Sequence, residues 1–157
     1  MNFSKKNYFV PFFLFCFLFV SAQKKVGDMR LGYGASGGIS LTDYYTSLGV
    51  DGRFQYDFSL KMALIATTGY THCFSNEMPD LAYAPLKAGI KWHLAEQVYI
   101  LGEAGAAFST TGEGVSFVWN PGIGVASKYI DISLRHEILN KFNTSIIALR
   151  LAYGYKL

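Results

Sequence analysis

The chain ends with the sequence IIALRLAYGYKL, residues 146–157, in which apolar side chains occupy every second position. The apolar set is Ile147, Leu149, Leu151, Tyr153, Tyr155 and Leu157, and the alternate set is Ala148, Arg150, Ala152, Gly154 and Lys156. A period of two is typical of a β-strand, whose successive side chains point to opposite faces. A strand with lipid on one side and a polar lumen on the other shows this separation. The stretch therefore predicts the final strand of a membrane-spanning β-barrel.

Further segments upstream carry the same two-sided pattern. Together with the last stretch, the predicted strands are residues 29–40, 48–58, 60–74, 83–94, 98–108, 115–126, 129–138 and 146–157. Tight turns at 57–59, 95–97 and 127–128 alternate with longer, more polar connections at 42–46, 75–81, 109–114 and 139–144. Outer-membrane barrels have short turns in the periplasm and longer loops outside. The predicted fold class is all-β: an eight-stranded antiparallel up-and-down transmembrane β-barrel with both termini on the periplasmic side.

The N-terminal segment has the features of an export signal. Lys5 and Lys6 precede an apolar run over residues 8–20, and the small residues Ser21 and Ala22 follow it. A basic start, a short apolar run and small residues at the cleavage site are typical of a secretory signal peptide. The run is too short for a membrane-spanning helix, which needs about 20 apolar residues. We therefore predict a cleaved signal peptide at 1–22 and a single outer-membrane β-barrel domain at 23–157.

The composition of residues 23–157 narrows the possible partners. Because two of the 14 basic residues lie in the signal segment, 12 basic residues face 11 acidic ones, and the net charge is +1. This balance does not indicate a nucleic-acid partner. The single remaining cysteine, Cys73, excludes an intramolecular disulfide. No catalytic residue, cofactor or metal site is predicted, since His72, His93 and His136 lack metal-ligand spacing.

The charged residues of the strands determine which face is the interior. If the two faces were exchanged, five basic side chains would lie in hydrocarbon, each at a cost of about 2–4 kcal/mol at the midplane. Simple turn registers place Asp57 opposite Lys61, Asp131 near Arg150, and Glu103 between the two lysines of the fourth segment. The predicted interior ion-pair network comprises Asp51, Arg53, Asp57, Lys61, Lys87, Lys91, Glu103, Asp131, Arg135, Glu137 and Arg150.

Aromatic residues on the opposite parity collect near the strand ends. Amphipathic rings at the two membrane interfaces form girdles in outer-membrane barrels. The predicted girdle comprises Phe54, Tyr56, Phe58, Trp92, Tyr153 and Tyr155 near the periplasmic rim, and Phe117 and Trp119 towards the other rim.

Three stretches carry a family resemblance: WNPGIGV at 119–125, IDISLRHE at 130–137 and LRLAYGY at 149–155. With the signal segment and the eight amphipathic strands, they resemble the outer membrane protein β-barrel domain family of Gram-negative bacteria. The resemblance implies a location in the outer membrane and contact with its lipids. It also implies that the barrel insertion machinery recognises the C-terminal strand, which ends here in Leu157 where such barrels often have Phe or Trp.

A barrel of eight strands has an interior that side chains can fill, or that holds one small ligand, so we expect a mostly filled polar interior and no wide solute channel. Inward glycines either make room for bulky interior partners or leave a cavity. The predicted role is structural, adhesive or accessory binding, with an extracellular partner at the loops. The loop residues in question are Tyr44, Tyr45, Asn76, Glu77, Asp80 and Glu113.

Two alternatives stay open. The first is a lipid A-modifying enzyme of the deacylase kind, which carries a His and a Ser two residues apart on the outer face of the barrel. His136 has the outward parity, but the residue two positions on is Ile138, so this pattern lacks its nucleophile. The second is a soluble periplasmic ligand carrier of the lipocalin kind, with the apolar side chains inside the barrel.

Overall fold

The computed structural model describes residues 25–42, 45–76 and 79–157. Each strand in these ranges pairs antiparallel with its neighbours along the chain, and the last strand pairs with the first. The predicted closed, eight-stranded antiparallel barrel is therefore confirmed. The predicted signal peptide, residues 1–22, lies outside the described residues. The strands are β1 Met29–Ser40, β2 Thr46–Tyr56, β3 Met62–Phe74, β4 Leu81–His93, β5 Val98–Ser109, β6 Val115–Ala126, β7 Ile130–Leu139 and β8 Thr144–Lys156.

The barrel has two different rims. We call the end with both chain termini and the turns 57–61, 94–97 and 127–129 the terminal rim, and the end with connections 41–45, 75–80, 110–114 and 140–143 the loop rim. The sequence predicts clearly longer connections at the loop rim than at the terminal rim, but in the structure the two sets of connections differ little in length. Strands β2, β4, β5, β7 and β8 extend into segments that the sequence pattern predicts as loops, because their backbone groups continue the ladder there. No helix among the described residues is long and apolar enough to cross a bilayer.

Side chains divide by parity between the lumen and the outer surface. In β8, Leu149, Leu151 and Tyr153 are 58%, 59% and 57% exposed, whereas the intervening Arg150 and Ala152 are 1% and 6% exposed. The same alternation recurs in the other strands, with large apolar side chains outside. The outward face of the barrel is therefore apolar, and the charged strand residues of the sequence pattern face the lumen.

Apolar side chains fill the lumen next to the loop rim. We call this cluster the apolar plug; its buried members are Tyr45, Cys73, Leu81, Tyr83, Ala107, Val118, Leu139 and Ile146. Leu81 and Leu139 fall in segments that were predicted as loops, so sequence patterns did not place them inside the barrel. The lumen is consequently polar in its middle, and the apolar plug closes it at the loop rim.

Strands β4 and β5 approach each other so closely that glycine is required in β4. A Cβ atom on the inward Gly89 would lie 2.0 Å from the carbonyl oxygen of Gly102 and 2.7 Å from the Cα of Glu103. Both obstacles are backbone atoms, which cannot rotate away. The outward Gly102 of the same ladder has no atom within 4 Å of its own Cβ position.

This difference predicts that Gly89 does not tolerate substitution by alanine, whereas Gly102 in the neighbouring strand does. Gly89→Ala forces the β4 and β5 backbones apart, and we expect it to lower the free energy of unfolding by about 1–3 kcal/mol, the usual cost of overpacking. Gly102→Ala, the matched control, should change it by no more than about 0.5 kcal/mol. Urea-induced unfolding in detergent micelles measures both values. Equal effects of the two substitutions would contradict the close approach.

Candidate functional site

The described lumen contains a layered network of ion pairs, and Asp131 is one of its centres. The Asp131 carboxylate accepts hydrogen bonds from Lys91 Nζ at 2.7 Å and from the Tyr99 hydroxyl at 2.6 Å. Arg150 Nη1 lies 3.8 Å from the same carboxylate, as the sequence register predicted. The Lys91 ammonium also sits over the Tyr99 ring, 3.7 Å from its centroid. Side chains of β4, β5 and β8 thereby meet at one carboxylate of β7.

Among the described residues, Arg150 is the largest fully buried side chain. Its Nε donates to both carboxylate oxygens of Asp51, at 2.7 and 3.0 Å, and its Nη2 donates to Asp51 as well. The guanidinium packs directly against Gly34, where a Cβ would lie 2.6 Å from Cζ. This inward glycine makes room for a bulky partner. Gly124 does the same for the Tyr99 ring.

Glu103 is the centre of a second layer. Its carboxylate accepts hydrogen bonds from Arg53 Nη2 at 3.1 Å, from Asn120 Nδ2 at 2.9 Å and from the Thr67 hydroxyl. Arg135 Nη1 lies 3.9 Å away. Glu103 stands opposite Gly89 in the ladder, as the register predicted, but its close partners come from β2, β3 and β6 and not from the two lysines of β4.

The lysines of β4 bind acids of β7 instead. Lys87 donates to Glu137, which also accepts a hydrogen bond from the Tyr83 hydroxyl at 2.7 Å. These contacts cross the lumen between β4 and β7, which are not adjacent in the barrel, so adjacent-strand registers could not predict them. The Tyr83 hydroxyl connects this layer to the apolar plug, of which its ring is a part.

Two of the predicted network residues lie at the terminal rim. Asp57 accepts a hydrogen bond from Gln55 Nε2 at 2.6 Å, and its carboxylate lies 3.5 Å from Arg30 Nε. The predicted partner, Lys61, is instead exposed in the turn before β3, and no ion pair joins it to Asp57 within the described ranges. The expectation was wrong because the Asp57 backbone N–H bonds to Asp28, which directs this carboxylate towards β1.

The described part of the barrel contains two cavities. One, of about 60 Å³, opens at the terminal rim, and the other, of about 40 Å³, lies between the Glu103 layer and the apolar plug. Ligand pockets for drug-sized molecules measure about 300–1,000 Å³. Neither cavity can pass or hold a solute of that size. No group of three or more His, Cys, Asp or Glu side chains in the described part of the chain is arranged to hold a metal ion.

The predicted aromatic residues lie on the outer surface near the strand ends. Tyr153 stacks on Tyr129, with ring centroids 5.9 Å apart, beside the terminal rim. Phe58 lies in the turn 57–61 and not in a strand. The exposed members are Phe54, Phe58, Trp92, Phe117, Trp119, Tyr153 and Tyr155, and Tyr56 is partly exposed.

The loop residues chosen from the sequence have different environments. Tyr45 is buried in the apolar plug, and its hydroxyl donates to the Pro79 carbonyl at 3.0 Å. Asn76, Asp80 and Glu113 are exposed. The other two, Tyr44 and Glu77, lie outside the described residues.

One polar pair on the outer face was missed by the sequence search. His136 Nε2 lies 2.6 Å from the Ser145 hydroxyl, and both residues have outward parity near the loop rim. The sequence pattern requires a serine two residues along β7, whereas this serine comes from β8, where it is the diagonal neighbour of His136. The Ser145 N–H bonds to the Thr42 hydroxyl. Among the described residues, no carboxylate forms an ion pair with His136.

Comparison with known proteins identifies the fold. No family model matches the sequence, and no curated protein matches it either. The solved structure of Ail, the attachment invasion locus protein of Yersinia pestis, in complex with the heparin analogue sucrose octasulfate is 18% identical, with a TM-score of 0.59 over 85% of this chain and 100% of that one. The N-terminal β-barrel domain of Pseudomonas aeruginosa OprF is 12% identical, with a TM-score of 0.55 over 82% and 99%.

A de novo designed transmembrane β-barrel is also similar, at 16% identity and a TM-score of 0.58 over 85% of this chain and 99% of that one. At such low identities the likeness concerns the fold alone. This chain has the fold of eight-stranded outer-membrane barrels. Membership of the outer membrane protein β-barrel domain family stays a prediction.

The acidic connection 75–80 yields a pH-dependent prediction. A hydrogen bond from His72 Nε2 at 3.1 Å, together with the Ser75 N–H, lowers the pKa of Asp80 below its ordinary value. A lowered carboxyl pKa means that this contact stabilises the folded loop above about pH 4, the unfolded pKa, and that the stabilisation is lost as pH falls through the lowered value. Carboxyl NMR should show that His72→Phe raises the Asp80 pKa. An unchanged value would rule out this pairing.

Proposed function

We propose that this protein is an integral outer-membrane β-barrel with a structural, adhesive or accessory binding role. The single observation that carries the proposal is the separation of the two faces, with large apolar side chains outside and charged side chains inside. An apolar surface that surrounds a whole barrel is far larger than the patches that soluble monomers expose. Lipid would cover this surface, and the closed sheet leaves no unpaired backbone edge in the bilayer.

The filled lumen supports a role other than solute passage. The apolar plug closes one end, the ion-pair layers cross the middle, and the two cavities together do not form a ligand-sized channel. Function would then be carried by the outer surface and by the connections of the loop rim. These connections would face the outside of the cell, and the terminal rim would face the periplasm.

The charge of the loop rim indicates what kind of partner it would take. The sequences of the four connections contain Asp43, Glu77, Asp80 and Glu113, against the single basic residue Lys141. The similar Ail structure holds a heparin analogue, a highly sulfated anion. An acidic rim repels polyanions, because like charges raise the free energy of association. A neutral or basic partner fits this chain better.

Export and insertion follow the route implied by the sequence. Residues 1–22 would direct secretion and then be removed. The insertion machinery would recognise β8, whose last residues, Tyr155 and Lys156, are exposed at the terminal rim together with the following Leu157. The closing strand would thus be both the recognition element and the partner of β1.

Two measurements on the expressed protein test the membrane assignment together. Unboiled protein on a detergent gel should migrate at an apparent mass that changes on boiling, because a folded barrel resists the detergent. Membranes washed at alkaline pH should retain the protein. A soluble carrier of the lipocalin kind would be released by this wash, and release together with heat-independent migration would refute the proposal.

A second candidate function, hydrolysis of an acyl ester of lipid A, is favoured by the His136–Ser145 contact alone. His136 would accept the Ser145 hydroxyl proton as this oxygen attacks an ester carbonyl, and would return the proton to the alcohol oxygen as the ester C–O bond breaks; water would then hydrolyse the acyl-serine and release the fatty acid. The pair thus provides a nucleophile and a base. The described residues provide no carboxylate to orient the imidazole, and the N–H of Ser145 is already bonded to the Thr42 hydroxyl.

The assay for this candidate is the release of fatty acid from purified lipid A by the folded protein. The hydrolase is supported if the wild-type protein releases fatty acid and Ser145→Ala abolishes this release. Gly102→Ala, a control substitution elsewhere on the outer face, should retain the release. If the wild-type protein releases no fatty acid, the candidate is rejected, and the pair serves to satisfy two polar side chains on an apolar face.

A further inference from the structure

We propose that the cavity at the terminal rim, which we call the rim cleft, binds a small oxyanion of the size of inorganic phosphate. The rim cleft has a volume of about 60 Å³ and opens to solvent beside the turn 127–129. Its lining includes the cationic side chains of Arg30, Arg53, Lys91 and Arg150. Nothing in the proposed outer-membrane role requires such a site, so the inference stands independently of that role.

The first observation is a buried donor without an acceptor. Arg53 is 5% exposed; its Nη2 binds Glu103 and its Nε binds Thr67 at 3.1 Å. Its Nη1, however, has no hydrogen-bond partner in residues 25–42, 45–76 and 79–157. Buried polar groups in native proteins are normally satisfied by protein, ordered water or a bound ion. A guanidinium N–H in a polar cavity therefore indicates an acceptor that enters from outside the protein.

Arg30 gives the rim cleft a second buried N–H without a hydrogen bond. Its Nε has no hydrogen-bond partner among the described residues, and the nearest acid, the Asp57 carboxylate, forms only an ion pair with it at 3.5 Å. Arg150 gives Nε and Nη2 to Asp51, while its Nη1 is 3.8 Å from Asp131, beyond hydrogen-bond distance. The lining thus offers two buried N–H groups, Arg30 Nε and Arg53 Nη1, that can still donate a hydrogen bond to a ligand oxygen.

Carboxylates near the rim cleft reduce the electrostatic attraction between its cations and an anion. Asp131 and Glu96 line the rim cleft together with the cations, and Asp131 is already bonded to Lys91. Since each buried cation faces an acid on its other side, net charge contributes little to binding. The attraction comes from donor groups that are held in place by those acids. Such preorganised donors suit an anion with several acceptor oxygens and repel a metal cation.

The volume of the rim cleft limits the size of the ligand that it can hold. At about 10–15 Å³ for each water, 60 Å³ holds about four to six water-sized atoms. A tetrahedral oxyanion has five heavy atoms and fits this space. A sugar or a nucleotide does not. Ordered water is the competing occupant, and the experiment separates the two.

The test uses the full folded barrel in detergent micelles, titrated with inorganic phosphate in a calorimeter. We expect saturable binding at one site. Gly154→Leu fills the rim cleft without removing any charge, because a Cβ at Gly154 lies 3.5 Å from the nearest atom, an ordinary contact, and the residue belongs to the lining. This variant should weaken phosphate binding by at least about tenfold. Gly102→Leu, which adds the same side chain on the outer face, should bind as the wild type does.

A second pair of variants tests the unpartnered guanidinium. The double variant Arg53→Met with Glu103→Gln removes one charge of each sign and should lose binding, whereas Glu103→Gln alone keeps Arg53 and should retain it. Heat-modifiable migration verifies that each variant is folded. Absence of saturable binding to the wild type means that the rim cleft holds water only and overturns the proposal. Binding that survives in Gly154→Leu would also overturn it, since the anion would then lie elsewhere.

Discussion

Closure of the sheet by β8 on β1 is the constraint on which the rest of the structure depends. The two strands pair from Arg30 and Lys156 to Ser40 and Ile146, so no strand is left with a free edge. Closure also brings the acids of β2 and β7 to both sides of Arg150. An open sheet would leave this arginine with no means of meeting Asp51, two strands away. Backbone pairing and charge neutralisation are thus satisfied by the same event.

A narrow lumen makes buried charges tolerable because it keeps opposite charges close. Removing an ion from water costs several kcal/mol unless a partner and further hydrogen bonds replace the lost hydration. Glu103 meets this requirement with Arg53, Thr67 and Asn120. Inward glycines supply the space: Gly34 accepts the Arg150 guanidinium, and closely packed backbones at Gly89 narrow the barrel. The same residues therefore satisfy both charge and packing, and two unsatisfied donors, Arg30 Nε and Arg53 Nη1, belong to residues that line the rim cleft.

The two ends of the barrel differ in chemistry, and this difference organises the functional proposals. The loop rim is closed from within by the apolar plug, and its connections are acidic in sequence. The terminal rim is open at the rim cleft, which is lined by cations. Binding at the loop rim would therefore involve a surface contact with a neutral or basic partner. Binding at the terminal rim would involve a small anion inside the barrel. The filled lumen between them separates the two.

Local alternation by itself determined the strands, their inward and outward faces and the placement of Arg150 and Glu103 in the lumen, because a side chain's face depends only on the parity of its own strand. Adjacent registers, such as Glu103 opposite Gly89, followed from short connections. Contacts across the lumen did not follow from the sequence. Lys87 binds Glu137, 50 residues away, and Lys61 is outside the network, because strand tilt and closure decide which inward residues reach the same level. The tertiary structure alone likewise brought Ser145 to His136 and left Arg53 Nη1 facing no acceptor among the described residues.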